Sequence, residues 1–134
     1  MSVRILALVT DCYGGSGGIS RYNQDFLEAL AEHGASIVVL PRHGRTTADA
    51  LPAGVEQLAP VRGRIFYSIL ALWTAITRRP FDVVFCGHVF MAPLSLLVAR
   101  LIGARCWVQA HGTDVWFDRR NSVRCAIEIG RAHV

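Results

Sequence analysis

Residues 3–30 read VRILALVTDCYGGSGGISRYNQDFLEAL, and three textures follow one another within them. Val3 to Thr10 is a short apolar run that ends in polar residues, the pattern of a strand buried on both faces. Asp11 to Gly18 is a loop with four glycines in the five positions from Gly14 to Gly18. From Ile19 the period turns helical: Ile19, Tyr22, Phe26 and Leu30 share one face, while Gln24, Asp25, Glu28 and Glu32 fall elsewhere. Gly34 is a natural helix stop.

The same alternation continues outward. Ser36 to Leu40 reads as a second strand, Pro41 to Gly54 as a polar loop, and Val55 to Val61 as a short third strand. Arg64 to Arg79 reads as a helix ended by Pro80, and Phe81 to Cys86 as a strand. Ala92 to Ile102 is a helix, with Pro93 near its start and Gly103 after it. Arg105 to Ala110 is a last strand, ending at His111-Gly112. Near-continuous apolar strands alternating with helices predict an α/β fold, a Rossmann-like parallel sheet with helices on both faces. No internal repeat, low-complexity segment or linker interrupts it.

Composition narrows the class. A chain of 134 residues, 52% hydrophobic and 18% charged, is neither a disordered tail, a fibre nor a coiled coil, and its length suits one domain. Net charge is +4, from 14 basic residues that are all Arg and 10 acidic ones. The Arg residues are scattered, which speaks for weak attraction to anions or anionic lipid and against a nucleic-acid partner. Cys12, Cys86, Cys106 and Cys125 show no C-x-x-C spacing and read as buried thiols in a reducing cytosol. The start lacks the features of a signal peptide, and the apolar stretch from Ile65 to Thr77 is too short to span a bilayer, so a cytoplasmic protein is expected. Ile129 to Val134 reads as translated sequencing adapter. On that reading the domain runs over 1–128, 129–134 is a non-native tail, and the chain is the front piece of something longer.

In an open parallel sheet, ligands bind beyond the carboxyl ends of the strands, near the switch point. Three features fall at such ends: the glycine loop, Gly87-His88 and His111-Gly112-Thr113-Asp114. They converge if the first strand pairs with the Phe81 strand. Glycines let the backbone approach a ligand, and their N–H groups with the following helix N-terminus attract phosphate. The loop nearly matches a dinucleotide fingerprint, but Leu40-Pro41-Arg42-His43 offers no acid for a ribose hydroxyl. Arg42 could accept a 2′-phosphate, which keeps an NADP-dependent oxidoreductase as an alternative. His111 can take a proton or bond a polar substrate, or it can cap its loop, with Asp114 as the next helix's N-cap; position alone leaves both open. His88 reads first as a packed or capping histidine. No cluster has metal-ligand spacing. The helix Arg64 to Arg79 carries Phe66, Ile69, Leu70, Trp73 and Ile76 on one stripe, flanked by Arg62, Arg64, Arg78 and Arg79. The first reading is a core face; the second is a peripheral membrane contact through 64–79.

With these residues in hand, the chain resembles the N-terminal domain of family 4 glycosyltransferases of the GT-B fold, from about Arg4 to Glu128. The carriers are VTDCYGGSGGISRYNQDFLEAL, FDVVFCGHVFMAPLSLLVARLIGAR and WVQAHGTDVW, in the family's order. The likeness points to bacterial enzymes that build exopolysaccharide or other surface glycans. It implies a retaining transferase moving sugar from a nucleotide sugar, UDP- or GDP-linked, to a glycan or lipid-linked acceptor, with no tightly bound cofactor and no metal, at the inner face of the cell membrane. By the resemblance, Gly17 and Gly18 match the glycine pair near the donor diphosphate. His111 matches the histidine beside the transferred sugar, Asp114 the acidic position after it, and His88 the strand-end histidine. Arg21 and Asn23 follow the glycine pair toward the cleft. The family's C-terminal donor domain, with its spaced glutamates, is absent from this sequence, so the fragment alone is expected to be inactive. A standalone binding module is the further alternative.

Overall fold

The computed structural model describes residues 3–10, 12–13, 18–43 and 51–109. In chain order the elements are β1 (Arg4–Val9), α1 (Gly18–Glu32), β2 (Ser36–Pro41), β3 (Val55–Gln57), α2 (Arg64–Thr77), β4 (Val83–Cys86), a 3-10 turn over Val89–Met91, α3 (Ala92–Ile102) and β5 (Arg105–Val108). The described strands form one sheet in the order β3-β2-β1-β4-β5. Every pairing is parallel, from Arg4↔Ser36 to Val9↔Pro41 on one side of β1 and from Ile5↔Val83 to Leu8↔Cys86 on the other.

The two-residue period of the strands divides the core into two layers. Leu6 and Leu8 of β1 point to the side covered by α2 and α3, where they join Leu40, Val84, Tyr67, Ala71, Leu96 and Ala99. Ile5, Ala7 and Val9 point to the other side and join Leu27 of α1 with Ile37, Val39 and Phe85. A strand buried on both sides needs an unbroken apolar run, which is what residues 5–9 supply. The expected Rossmann-like sheet with helices on both faces is therefore present. Gly103, at φ 70, ends α3, and its N–H reaches back to the Ala99 and Arg100 carbonyls.

Two helix faces differ from the sequence reading. In α1 the buried residues are Ser20, Asn23 and Leu27; Phe26 and Leu30 are half-buried and Tyr22 is exposed. The inward face is rotated because a polar side chain, Ser20, has a buried carbonyl to bond, which hydropathy does not register. Tyr22 instead stacks on Phe26 at 6.0 Å. In α2 the stripe expected as core is turned outward. Phe66, Ile69, Trp73 and Ile76 are exposed and Leu70 is half-buried, while Tyr67, Ala71, Thr74 and Ala75 face the sheet. Ala71 and Ala75, one turn apart, let the helix backbone lie close to the strands, and large side chains would hold it off. Tyr67 is the large residue of α2 that is fully buried, with Leu70 and Leu72 half-buried at the edges of the contact, and its hydroxyl donates to the Leu40 carbonyl.

Candidate functional site

The strand order reverses at β1. The chain leaves β1 toward β2 and β3, then crosses to β4 on β1's other side, which makes the β1/β4 boundary a switch point. The glycine loop leaves β1, Gly87-His88 leaves β4 and Gln109 leaves β5 along one edge of the sheet. Helix α1 reaches across this edge, since the Tyr22 hydroxyl donates to Gln109 Oε1 at 3.2 Å.

The entry to the glycine loop is clamped from two elements. From α1, Ser20 Oγ and Gln24 Nε2 donate to the Cys12 carbonyl at 2.6 and 3.0 Å. From the end of β3, the Gln57 amide accepts the Tyr13 N–H at 3.0 Å and donates to the Tyr13 carbonyl at 2.7 Å. Burial, helped by neighbouring Cys12, Glu28 and Asp25, pushes the Tyr13 hydroxyl up to about 12, so it is a neutral donor rather than a base. Among the described residues nothing stands within 4 Å of the position a Cβ on Gly18 would take. Gly18 opens α1 with no acidic residue in the first turn, so the helix's own first turn brings no carboxylate to its positive end.

Gly87 is the opposite case. A Cβ there would lie 2.8 Å from Val9 Cγ1 and 3.4 Å from Asn23 Oδ1, so the end of β4 passes too close to β1 and α1 for any side chain. Next to it, His88 Nδ1 accepts the Phe90 N–H at 3.2 Å and caps the 3-10 turn, leaving Nε2 as the ring's donor nitrogen. The His88 and Phe90 rings stack at 4.7 Å. Cys86 Sγ donates to the His88 carbonyl at 2.9 Å. Burial raises the Cys86 thiol to about 11, and burial with the Cys86 neighbour raises Cys106 to about 12; both are packed, unreactive thiols.

Beside the switch point, on the α2 and α3 side, opens a cleft of about 440 Å³ lined by Arg42, Arg64, Tyr67, Ser68, Phe90, Met91, Pro93 and Leu94. Three separate segments build it: the end of β2, the first turn of α2, and the turn leading into α3. The Arg42 guanidinium lies 5.9 Å from the centre of the Tyr67 ring, and its buried Nε has no hydrogen-bond partner among the described residues. Burial holds the Tyr67 hydroxyl well above its usual range, so the ring stays neutral beside that cation. The cleft thus offers two cationic forks and two aromatic rings, a lining suited to a ligand with an anionic group and flat apolar faces.

The profile of the glycosyl transferase 4-like domain matches residues 17–131. The chain belongs to the glycosyl transferase 4-like family. Among solved structures it is similar to the epimerase Mth375 of the methanogen Methanothermobacter thermautotrophicus, with a TM-score of 0.52, 15% identity and 98% of this chain covered. That likeness shows the fold alone. The chain spans 46% of the length of that structure. A search of curated proteins gives no significant match.

In this glycosyl transferase 4-like domain, the site residues expected from sequence are placed as follows. Asn23 and His88 lie at the β1/β4 end, Asn23 buried beneath Gly87, and Gly18 opens α1 one turn before Asn23. Arg21 points to solvent and pairs with Asp25 at 3.4 Å on its own helix. Gly17, His111, Asp114, Cys125 and the 129–134 tail lie outside the described residues. Sequence reasoning did not single out Tyr67, Ser68 or Phe90; it weighed Arg64 only as a flank of a membrane-facing helix and Arg42 only for a dinucleotide phosphate. The available signal was that Arg42 and Phe90 each follow a strand end, where ligands of parallel sheets collect. Among the described residues no three His, Cys, Asp or Glu side chains gather as a metal site, and no helix is long and apolar enough to cross a membrane.

Proposed function

We propose that this domain is the acceptor-side half of a retaining glycosyltransferase that moves a sugar from a UDP- or GDP-sugar onto a glycan or lipid-linked acceptor of the cell surface. The observation that carries the reading is a cleft at the switch point of a glycosyl transferase 4-like domain, with Arg42, Arg64, Tyr67 and Phe90 in its wall. Sugar rings present C–H faces that aromatic rings cover, and guanidinium forks match phosphate or carboxylate. The acceptor takes this cleft. The donor diphosphate takes the glycine loop, against the backbone N–H groups of Gly17 and Gly18; the start of α1 at Gly18, with no acidic residue in its first turn, supports this. A second domain holds the nucleotide.

In the transfer an acceptor oxygen bonds to the anomeric carbon, the bond from that carbon to the diphosphate oxygen breaks, and the acceptor proton passes to the departing diphosphate. The protein's part is positioning and charge stabilisation. The N–H groups at the start of α1 face the charge that grows on the diphosphate. His111 and Asp114 hold the transferred sugar's hydroxyls, and His88 presents its Nε2–H. Asn23, buried beneath Gly87, acts by supporting the end of β4 and not by touching the donor, and Arg21 stays paired with Asp25 in solvent. The test is thermal unfolding of the full-length protein with UDP-sugars, GDP-sugars and NADP in turn. A nucleotide sugar at about a hundred times its Kd should stabilise the fold by about 2.7 kcal/mol, and NADP should not. Protection by NADP alone would overturn the reading in favour of an oxidoreductase. Protection by a nucleotide sugar without release of nucleoside diphosphate when a membrane extract is added would reduce the domain to a binding module.

A further inference from the structure

We infer that the outer face of α2 is a docking surface for an anionic lipid bilayer, with the helix lying in the plane of the headgroups. Ile65, Phe66, Ile69, Trp73 and Ile76 are between 51% and 74% exposed. They occupy one side of a 14-residue helix whose other side, Tyr67, Ala71, Thr74 and Ala75, already serves the core. No packing against the sheet explains five large apolar side chains on the wet side. The stripe is the outer half of a helix whose small inward residues are complete without it.

Charge selects the occupant. Helix α2 carries no Asp or Glu, while Arg62 and Arg64 stand at its start and Arg78 and Arg79 at its end. Arg78 pairs with Glu56, which leaves Arg79 as the net positive charge at that end. A second copy of the helix is a poor partner: in antiparallel pairing Arg64 meets Arg78 and Arg79, and in parallel pairing Arg64 meets Arg64, with no carboxylate on either helix to separate them. An anionic headgroup layer meets both ends with the opposite sign and takes Trp73 and the aliphatic side chains into the acyl boundary. Arg64 also lines the cleft, so the mouth of that cleft sits at the level of the bilayer surface.

The inference stands apart from the transfer reading, because its test measures lipid binding and no turnover. The full-length protein is sedimented with phosphatidylcholine vesicles, with and without phosphatidylglycerol. Binding is expected only with phosphatidylglycerol and should weaken as salt rises. Trp73→Glu and Ile69→Glu should each lower the binding constant roughly tenfold or more, and Val3→Glu, at an exposed apolar site off the helix, should leave it unchanged. Trp73→Ser, with its thermal unfolding unaltered, guards against a folding defect and should also weaken binding. No binding by the full-length protein overturns the inference, as does binding indifferent to all three helix substitutions. Self-association that Trp73→Glu abolishes, without lipid binding, would overturn it in favour of an interface between copies.

Discussion

Helices α1 and α2 cover opposite sides of one sheet and solve that task in opposite ways. α1 turns a large apolar residue, Leu27, inward with the polar Ser20 and Asn23, and shows Arg21, Asp25, Glu28 and Glu32 to water. α2 turns alanines inward and shows Ile65, Phe66, Ile69, Trp73 and Ile76 to water. The first arrangement is that of an ordinary surface helix. The second leaves a large apolar stripe on the wet side, and that difference between the two helices is what the inferred bilayer contact of α2 rests on.

The contrast can be broken by exchanging what each face tolerates. Leu27→Ala should cost about 2–5 kcal/mol in denaturant unfolding, since it empties a fully buried site. A loss under about 1 kcal/mol would mean that α1 does not rest on the sheet through Leu27. Gly87→Ala comes next, at about 1–3 kcal/mol, because the new methyl group meets Val9 at 2.8 Å. Tyr67→Phe should cost about 1–2 kcal/mol by removing the donor to the Leu40 carbonyl, the polar contact that ties α2 to β2. Trp73→Ala is the smallest, within about 0.5 kcal/mol of wild type, because the outward stripe contributes little to the isolated fold.

A pH series sharpens the α2 and α3 side of the same comparison. Cys86 and Cys106 rise from the ordinary value of 9.0 to about 11 and about 12 in the folded protein. The folded state then keeps protons that the unfolded chain releases. Stability from this source is fully present below pH 9 and declines as pH climbs through the window up to about 12. Cys86→Ala should flatten part of that decline in unfolding measured across the window. An unchanged slope would place the thiol in contact with water.

Much of the fold was legible in the sequence because strands buried on both sides must be unbroken apolar runs, and 5–9, 37–40 and 83–86 are such runs. Helix α3 was legible to its ends, since Pro93 and Gly103 act through local backbone geometry. What hydropathy could not supply was the rotation of α1 and α2. In α2 nearly every position is apolar, so the pattern cannot tell the side that packs closely from the side that is large. The inward choice is made by side-chain size. The glycine loop and His88 were visible as strand-end residues, whereas the cleft draws Arg42, Tyr67 and Phe90 from three segments that meet only in the fold. The Gln57 clamp on Tyr13 was likewise invisible, because it joins residues 44 positions apart.

The central claim is that the Arg42 cleft holds the acceptor of a sugar transfer. It is tested most directly by transfer of labelled sugar from UDP- or GDP-sugars to membrane acceptors, comparing the full-length protein with its Arg42→Gln variant. The account predicts transfer by the wild type and a loss of roughly tenfold to a hundredfold in the variant, with nucleotide-sugar binding retained. Undiminished transfer by Arg42→Gln, or no transfer by a wild type that binds nucleotide sugar, would contradict it.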